Sequence, residues 1–401
     1  MNELSSLGLI LLLALLSGHL VQFLRIPEVT GYVLAGVALG PSVLGWVSAE
    51  NLTALEVLSE VALGLILFSV GSVFEFERFR PIGPRIVRLT LMESLPAAGL
   101  VFAGVLLFGA SWQVAMLLGT IAIATAPAST LMVLRECDAS GPLTDTLMGI
   151  IAVNNIFCLV VFSLAAALID LTSGMGLSVL ETLYQSGFGL VWQLVGSTAL
   201  GFLVGLMLVG WAMKVHETGE MLILLAGSIL LCVGAARILE LSQLVASLAV
   251  GATMVNLSRR SRHLFDTLAG TNPPFYAIFF VIAGADLDIN LVPEMGALGA
   301  FYVIARSAGK FFGAHWGAAR LEMPEAVRRY LGFGLLAQAG LAVGLTLVVG
   351  RRFPELAPAI TVVVLASVVI HEMFGPIGTR FAIVRSGEAR LRKTEVESIW
   401  A

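Results

Sequence analysis

The chain has 401 residues, of which 58% are hydrophobic and only 12% charged, and its formal net charge at pH 7 is −4. A soluble domain carries about 25% charged residues, so this composition indicates a polytopic membrane protein and not a soluble one. No group of Lys and Arg residues is interleaved with aromatic residues, so we expect no nucleic-acid partner.

The residues that usually hold cofactors or catalyse reactions form no recognisable set. The three cysteines stand alone, and the five histidines show no metal-ligand spacing. The sequence has no Gly-rich dinucleotide fingerprint, no Walker A motif and no Ser-His-Asp set. We therefore expect no cofactor, no metal, no nucleotide and no enzymatic activity, so that transport would draw its energy from an ion gradient.

Apolar runs of the length that crosses a bilayer recur from end to end, and about thirteen are present. The predicted fold class is an all-α polytopic membrane protein, with a membrane domain over 1–385 and a short cytoplasmic tail over 386–401. The predicted spans are 4–24, 28–46, 56–74, 84–109, 112–135, 143–170, 186–213, 218–237, 241–257, 268–284, 293–319, 325–350 and 356–384.

The basic residues orient these spans. With the C-terminus in the cytoplasm, most Lys and Arg residues lie at cytoplasmic ends, and only Arg237, Arg351 and Arg352 lie on the outer side. Positive charge is enriched on the cytoplasmic side of membrane proteins. We therefore predict a multi-pass protein of the cell inner membrane with the N-terminus outside and the C-terminus in the cytoplasm.

The spans divide into six, a linker and six, which gives the second half inverted topology. The fifth span of the first half is interrupted at Thr125, Ala126 and Pro127. The fifth span of the second half contains the glycine-rich run from Gly332 to Gly344, with one amide, Gln338. Interrupted helices at matching positions of two halves point to a transporter site. Alternatively, the glycines only allow close helix packing.

Two adjacent amides, Asn154 and Asn155, stand inside the sixth apolar run. Polar side chains at membrane depth are costly and mark functional sites by default. We predict that a cation binds among Thr125, Ser129, Asn154, Asn155 and Gln338. The Ser129 hydroxyl has an alternative role, because it can satisfy the backbone groups that the proline frees.

Five stretches together resemble the monovalent cation:proton antiporter superfamily, in its branch of sodium/proton antiporters and Kef-type potassium efflux systems. The resemblance covers nearly the whole chain in order. The stretches are LRIPEVTGYVLAGVALGPSVLG from Leu24, LSEVALGLILFSVGSVFEF from Leu58, FFVIAGADLD from Phe279, ARSAGKFFGAHWGAARL from Ala305 and MFGPIGTRFAIVRSGEA from Met373.

The resemblance implies two crossing, partly unwound helices, broken near Thr125–Pro127 and near Ala337–Gly340. It also implies a core domain that moves against a dimerisation domain, and hence a homodimer. In relatives, the span after the first broken helix carries a pair that ends in Asp, which binds the cation or the proton. A basic residue of a late span pairs with that acidic site; Lys310 matches it, and Arg306 lies one turn away.

This sequence departs from the family pattern at Asn154 and Asn155, where the carboxylate is absent. An amide oxygen can coordinate a hard cation, but an amide does not exchange a proton. Lys310, without its acid, becomes a candidate titrating group, although it could instead pair with another nearby acid. Glu372 is the alternative carboxylate, and Glu93 is a further candidate.

Three functions follow as hypotheses. The first is a secondary transporter that exchanges Na+ or K+ for H+ by alternating access, coupled through Lys310 or Glu372. The second is a cation conduit without proton coupling, or a sensor that does not transport. The third is a small-anion transporter, if Lys310 lacks an acidic partner and half-helix N-termini add positive potential.

Overall fold

A computed structural model describes residues 3–24, 26–172, 188–189, 191–215, 217–258 and 261–390, and this part of the chain is helical throughout. Most of the connection between the predicted spans 143–170 and 186–213 and most of the predicted tail lie outside the described residues. The helices are α1 Glu3–Phe23, α2 Glu28–Leu39, α3 Ala49–Gly71, α4 Phe76–Leu107, α5 Trp112–Ile121, α6 Pro127–Glu136, α7 Pro142–Thr172, α8 Ser197–Ala212, α9 Thr218–Ile238, α10 Gln243–Leu257, α11 Ser261–Ala285, α12 Leu291–Glu294, α13 Gly296–Arg320, α14 Glu325–Gly334, α15 Gly340–Arg352 and α16 Ala357–Ser386. A short π-helix, Trp192–Gly196, leads into α8.

Six of the described helical segments are long and apolar enough to cross a membrane. The other apolar helices are shorter, and three predicted spans, 112–135, 293–319 and 325–350, each consist of two helices. Pro127 starts α6 because it has no backbone N–H to donate to a preceding turn. Gly296 has a φ of +58°, which separates α12 from α13. The six long segments are Leu4–Phe23, Ile82–Leu107, Pro142–Asp170, Trp192–Ala212, Gly219–Ile238 and Ala357–Ser386.

The helices pack as two groups. The first group contains α1–α3 and α8–α11, and the second contains α4–α7 and α13–α16. One apolar cluster joins α3 to α8, α9 and α10, and another surrounds the inner parts of α5, α7, α13, α15 and α16. Contacts of α2 with α6 and α16 join the two groups.

Within the second group, α13 lies unusually close to α4. A Cβ atom added at Gly309 would be 2.3 Å from the Cα of Ala97, and one added at Gly313 would be 2.5 Å from the carbonyl oxygen of Met92. Gly317 continues the same face of α13 one turn later. The spacing is the small-xxx-small pattern that lets membrane helices approach backbone to backbone. This packing brings α13 directly against residue 93 of α4.

The C-terminal segment closes back onto the start of α7. The Glu388 carboxylate accepts hydrogen bonds from the backbone N–H groups of Leu143 and Thr144 at 2.7 and 2.8 Å, and from the Thr144 hydroxyl at 2.7 Å. The first N–H groups of a helix have no partner within the helix, and its positive dipole end favours a carboxylate. Glu388 therefore caps the helix that carries the two adjacent amides.

We expect Gly313→Ala to destabilise the protein by about 1–3 kcal/mol, because the new methyl group meets backbone atoms of α4 that cannot move aside. Thermal unfolding of the detergent-solubilised protein measures the effect as a lowered midpoint. Gly234→Ala in α9 is the matched control, since no heavy atom lies within 4 Å of a Cβ there. Equal midpoints for the two variants would contradict the close packing of α13 on α4.

Glu388→Ala removes the cap of α7, so we expect a loss of about 0.5–2 kcal/mol in the free energy of unfolding. Glu355→Ala serves as control, because this exposed residue lies between α15 and α16 and caps no described helix. The midpoint of thermal unfolding is again the measurement. A Glu388→Ala variant as stable as Glu355→Ala would show that the C-terminal segment does not hold α7.

Candidate functional site

The two interrupted helices meet at their breaks. The first break, residues 122–126, separates α5 from α6, and the second, residues 335–339, separates α14 from α15, which begins at Gly340. The backbone N–H of Ala126 donates a hydrogen bond to the carbonyl oxygen of Ala337 at 3.0 Å. Backbone outside a helix is tolerated at membrane depth only where protein or water satisfies its polar groups. Each break therefore satisfies part of the hydrogen-bonding capacity of the other break's backbone.

The Arg306 guanidinium supplies donors to both breaks. It lies fully buried on α13 and donates to the carbonyl oxygens of Ala124 at 2.6 Å, Leu336 at 2.7 Å and Ala337 at 3.3 Å. Helix ends leave carbonyl groups without intrahelical partners, and a cation is a favourable donor to them. Arg306 therefore holds the two interruptions together.

Lys310, one turn after Arg306, forms a buried ion pair. Its Nζ lies 2.7 Å from Glu93 Oε2 on α4, and both side chains are 0% exposed. The same Nζ donates to the carbonyl oxygen of Ile123 at 2.6 Å and to the Thr125 hydroxyl at 3.0 Å. The interpretation of Lys310 as an ammonium without an acid is therefore wrong, because the close packing of α13 on α4 supplies Glu93.

Asn154 is part of the same network. Its Nδ2 donates to Glu93 Oε1 at 2.7 Å and to the Ser94 hydroxyl at 2.9 Å, and that hydroxyl donates to Glu93 Oε1 at 2.7 Å. A carboxylate at residue 154 could only accept hydrogen bonds, and it would place a second negative charge beside Glu93. The amide suits a site in which one carboxylate balances one ammonium.

Asn155 makes no such contact. Its Oδ1 and that of Asn154 are buried and have no hydrogen-bond partner in the part of the chain that the structure describes. Buried amide oxygens are normally satisfied, so the two unpaired ones have spare capacity to coordinate a ligand.

Gln338 lies in the second break with its polar atoms already engaged. Its Nε2 donates to the carbonyl oxygen of Ile121 at 3.1 Å and to the Tyr302 hydroxyl at 3.2 Å, and its Oε1 accepts from the Ser367 hydroxyl at 3.1 Å. These bonds tie α5, α13 and α16 to the break. Gln338 thus fits a structural role at the crossing better than that of an ion ligand.

Ser129 and Glu372 meet at a separate point. The Ser129 hydroxyl, in the first turn of α6, donates to Glu372 Oε1 of α16 at 3.3 Å. Glu372 is 5% exposed, and its Oε2 has no partner among the described residues. The neighbouring His371 is held by the hydroxyls of Ser307 at 3.1 Å and Ser367 at 2.9 Å.

The structure thus joins Thr125, Asn154 and Lys310 in one network and brings Ser129 to Glu372. It does not link Asn155 to either set. Sequence reasoning ranked Glu93 too low. The four-residue spacing of Gly309, Gly313 and Gly317 is a signal that could have pointed to a close helix contact, but it does not identify the partner helix.

Comparison with known proteins agrees with this architecture. Residues 8–377 match the family model described as sodium/hydrogen exchanger, transmembrane. The ammonium/H(+) antiporter subunit AmhT of Alkalihalophilus pseudofirmus is 25% identical over 86% of this chain and 83% of its own length. The high-affinity Na(+)/H(+) antiporter NhaS3 of Synechocystis is 22% identical over 86% of this chain and 75% of its own length.

A glutathione-regulated potassium-efflux system protein of Haemophilus influenzae is 25% identical over 90% of this chain, but the match spans only 58% of that protein. The sodium proton antiporter MjNhaP1 of Methanocaldococcus jannaschii, in its structure at pH 8, has the same fold. It superposes with a TM-score of 0.68 at 17% identity, over 96% of this chain and 98% of MjNhaP1.

A family model that matches most of the chain, together with the shared fold, establishes the class to which the motifs point. The chain is a multi-pass membrane protein of the transmembrane sodium/hydrogen exchanger family, within the monovalent cation:proton antiporter superfamily.

Proposed function

We propose that the chain is a secondary transporter that exchanges a monovalent cation for protons by alternating access. One observation carries the proposal: two interrupted helices cross at a point where buried charged and amide side chains collect. Ion sites of secondary transporters lie where such interrupted helices meet. Ionisable residues at membrane depth also mark ion and proton pathways.

The candidate ion ligands are buried oxygen atoms that the protein leaves unsatisfied at separate points around the crossing. Asn154 Oδ1, Asn155 Oδ1 and Glu372 Oε2 are buried and unpaired among the described residues. Hard cations favour amide, hydroxyl and carboxylate oxygens. The proposed cation is Na+ or K+. Because AmhT is named as an ammonium/H(+) antiporter subunit, NH4+ is a third candidate cation.

The small-anion hypothesis loses its basis. It required a net positive site around Lys310, and Glu93 balances that ammonium at 2.7 Å. Arg306 donates to backbone carbonyls at both breaks. Coupling through Lys310 is also disfavoured, because releasing its proton would leave the Glu93 carboxylate buried without its cation.

The wider architecture is part of the proposal. Thirteen spans, arranged as six, a linker and six in an inverted repeat, would place the N-terminus outside and the C-terminus in the cytoplasm of the inner membrane. The helix group α4–α7 with α13–α16 would move against the group α1–α3 with α8–α11. The group α1–α3 with α8–α11 would form the interface of a homodimer.

Proteoliposomes with an internal pH dye test the function. We expect addition of Na+ or K+ outside wild-type liposomes to move protons in the opposite direction, with no response in empty liposomes. For NH4+, whose neutral NH3 form crosses the bilayer unaided and raises the internal pH, the response of wild-type liposomes should exceed that of empty liposomes. The Asn155→Asp variant restores the carboxylate that relatives carry. Silence of wild type with all three ions, together with activity of Asn155→Asp, would favour a non-transporting sensor. Cation uptake without proton movement would favour an uncoupled conduit.

A double-mutant cycle tests the Lys310–Glu93 pair. Glu93→Gln or Lys310→Met alone should cost about 3–5 kcal/mol of stability, because each leaves an unpaired charge in the membrane interior. The double variant should recover much of that loss. Thermal unfolding of the purified proteins measures both.

The matched control is Glu325→Gln, which breaks the exposed Arg329–Glu325 pair on α14. It should change stability by less than about 1 kcal/mol. Additive losses in the Lys310–Glu93 double variant would mean that the two charges do not depend on each other.

A further inference from the structure

We infer that Glu372 and Ser129 form the site at which a proton and the transported cation compete. The inference rests on the proposed function and locates its exchange step. The family resemblance implies this carboxylate on the span after the first broken helix, where this chain has Asn154 and Asn155. Here the carboxylate is on the last helix, α16, against the first turn of α6.

The position of Glu372 is fixed by the crossing. Gly375, one turn later on α16, packs so closely on the second break that a Cβ atom there would lie 2.6 Å from the Cα of Ala337. On the other side, Ser129 belongs to the helix that starts directly after the first break. The Glu372 carboxylate therefore lies beside both interruptions, where a helix crossing has backbone groups outside regular hydrogen bonding.

Within the described residues, the Glu372 carboxylate forms no ion pair with a Lys, Arg or His side chain. Oε1 accepts one hydrogen bond from Ser129, and Oε2 is buried without any partner in the described parts of the chain. An ionised carboxylate buried in this way costs several kcal/mol unless a positive charge accompanies it. A proton on the carboxyl group or a bound cation can each meet that requirement, and both cannot do so at once.

The charged groups on the helices that pack against α16 are engaged elsewhere or lie out of contact with Glu372. Lys310 pairs with Glu93, and Arg306 donates to backbone carbonyls. On α16 itself, Arg380 pairs with Glu136 of α6 at 2.7 Å. Further pairs and contacts around α16 are Arg352 with Asp170, Arg329 with Glu325, Glu28 with Tyr32, Arg135 with the Tyr276 ring and Arg385 with the Phe381 ring. The remaining charged or titratable groups on those helices are Asp145, Cys158, Glu294, Tyr302, His315, Arg320, Arg328, Tyr330, Arg351 and His371, none of which bonds to Glu372.

The start of α6 suits the ionised form of the site. α6 has ten residues and no side-chain cap, and its first residue is a proline. The positive end of the helix dipole stabilises a nearby carboxylate. It therefore offsets part of the free energy needed to keep Glu372 ionised in the cation-bound state. The Ser129 hydroxyl donates to the carboxylate and has lone pairs that can coordinate a cation. One cation thus displaces one proton.

The first test compares wild type with Glu372→Gln, Glu372→Asp and Glu355→Gln in the proteoliposome assay. We expect Glu372→Gln to lose cation-driven proton movement, because a neutral amide neither releases a proton nor balances a cation. Glu372→Asp should retain exchange with a changed pH profile. Glu355→Gln, which removes an exposed carboxylate between α15 and α16, should behave as wild type.

Variants of Ser129 test its role as a ligand. Ser129→Ala should raise the cation concentration for half-maximal exchange by about tenfold, the equivalent of one lost oxygen contact. Ser129→Thr keeps the hydroxyl and should restore the wild-type value. A purely structural role for Ser129 would lower the amount of folded protein without changing this concentration.

The outcomes separate the inference from the proposed function. If wild type exchanges none of the three cations for protons, the proposed function is wrong. Exchange by wild type and equally by folded Glu372→Gln overturns the Glu372 site and leaves the function standing.

If Glu372→Gln does not fold, a second measurement on wild type decides. A hydrophobic carbodiimide reacts with protonated buried carboxyl groups, and mass spectrometry locates the adduct. We expect adduct formation at Glu372 that falls as the cation that drives proton movement is added. Labelling of Glu372 that is unaffected by this cation would overturn the inference.

Discussion

The ion pair between Lys310 and Glu93 is the interaction on which the rest of the crossing depends. Two charges in a membrane interior persist only when they are paired and their remaining hydrogen-bonding capacity is used. Lys310 meets this condition through the carbonyl oxygen of Ile123 and the hydroxyl of Thr125, and Glu93 through the Asn154 amide. Ile123 and Thr125 both lie in the first break, where they supply acceptors that the buried ammonium needs. These hydrogen bonds in turn stabilise the non-helical backbone of the break.

The role of the amide at residue 154 follows from this ion pair. Judged by the sequence alone, the Asn154–Asn155 pair lacks the carboxylate that the family resemblance implies at residue 155. In the structure the negative charge is on α4 as Glu93, and Asn154 donates a hydrogen bond to it at 2.7 Å. The acidic partner of Lys310 is therefore on α4, and the ion pair at the crossing is neutral overall. Asn155 has no comparable contact among the described residues, and its amide cannot exchange a proton.

Composition and periodicity were enough to predict the helical membrane class, and Pro127 and the glycine-rich run near Gln338 lie where the structure has its two breaks. The partner of Lys310 could not be predicted, because hydrophobic periodicity does not indicate which helices become neighbours. The four-residue spacing of the α13 glycines is compatible with close packing against any neighbouring helix and does not identify α4. Gln338 was predicted to bind an ion, but its donors and acceptor are directed at the backbone of α5, at Tyr302 and at Ser367, which only the three-dimensional arrangement reveals.

The buried carboxylates near the crossing, Glu93 and Glu372, differ in the helices that hold them, and this difference bears on the proposed alternating access. Glu93 and Lys310 lie on α4 and α13, which pack backbone to backbone within one helix group, so the pair keeps its charge through any rigid movement of that group. Glu372 lies on α16, which packs against α6 in its own group and against α2 of the other. A carboxylate that must meet water from alternate sides has to lie near the boundary between the moving parts. Of the two, the helix that carries Glu372 lies at this boundary.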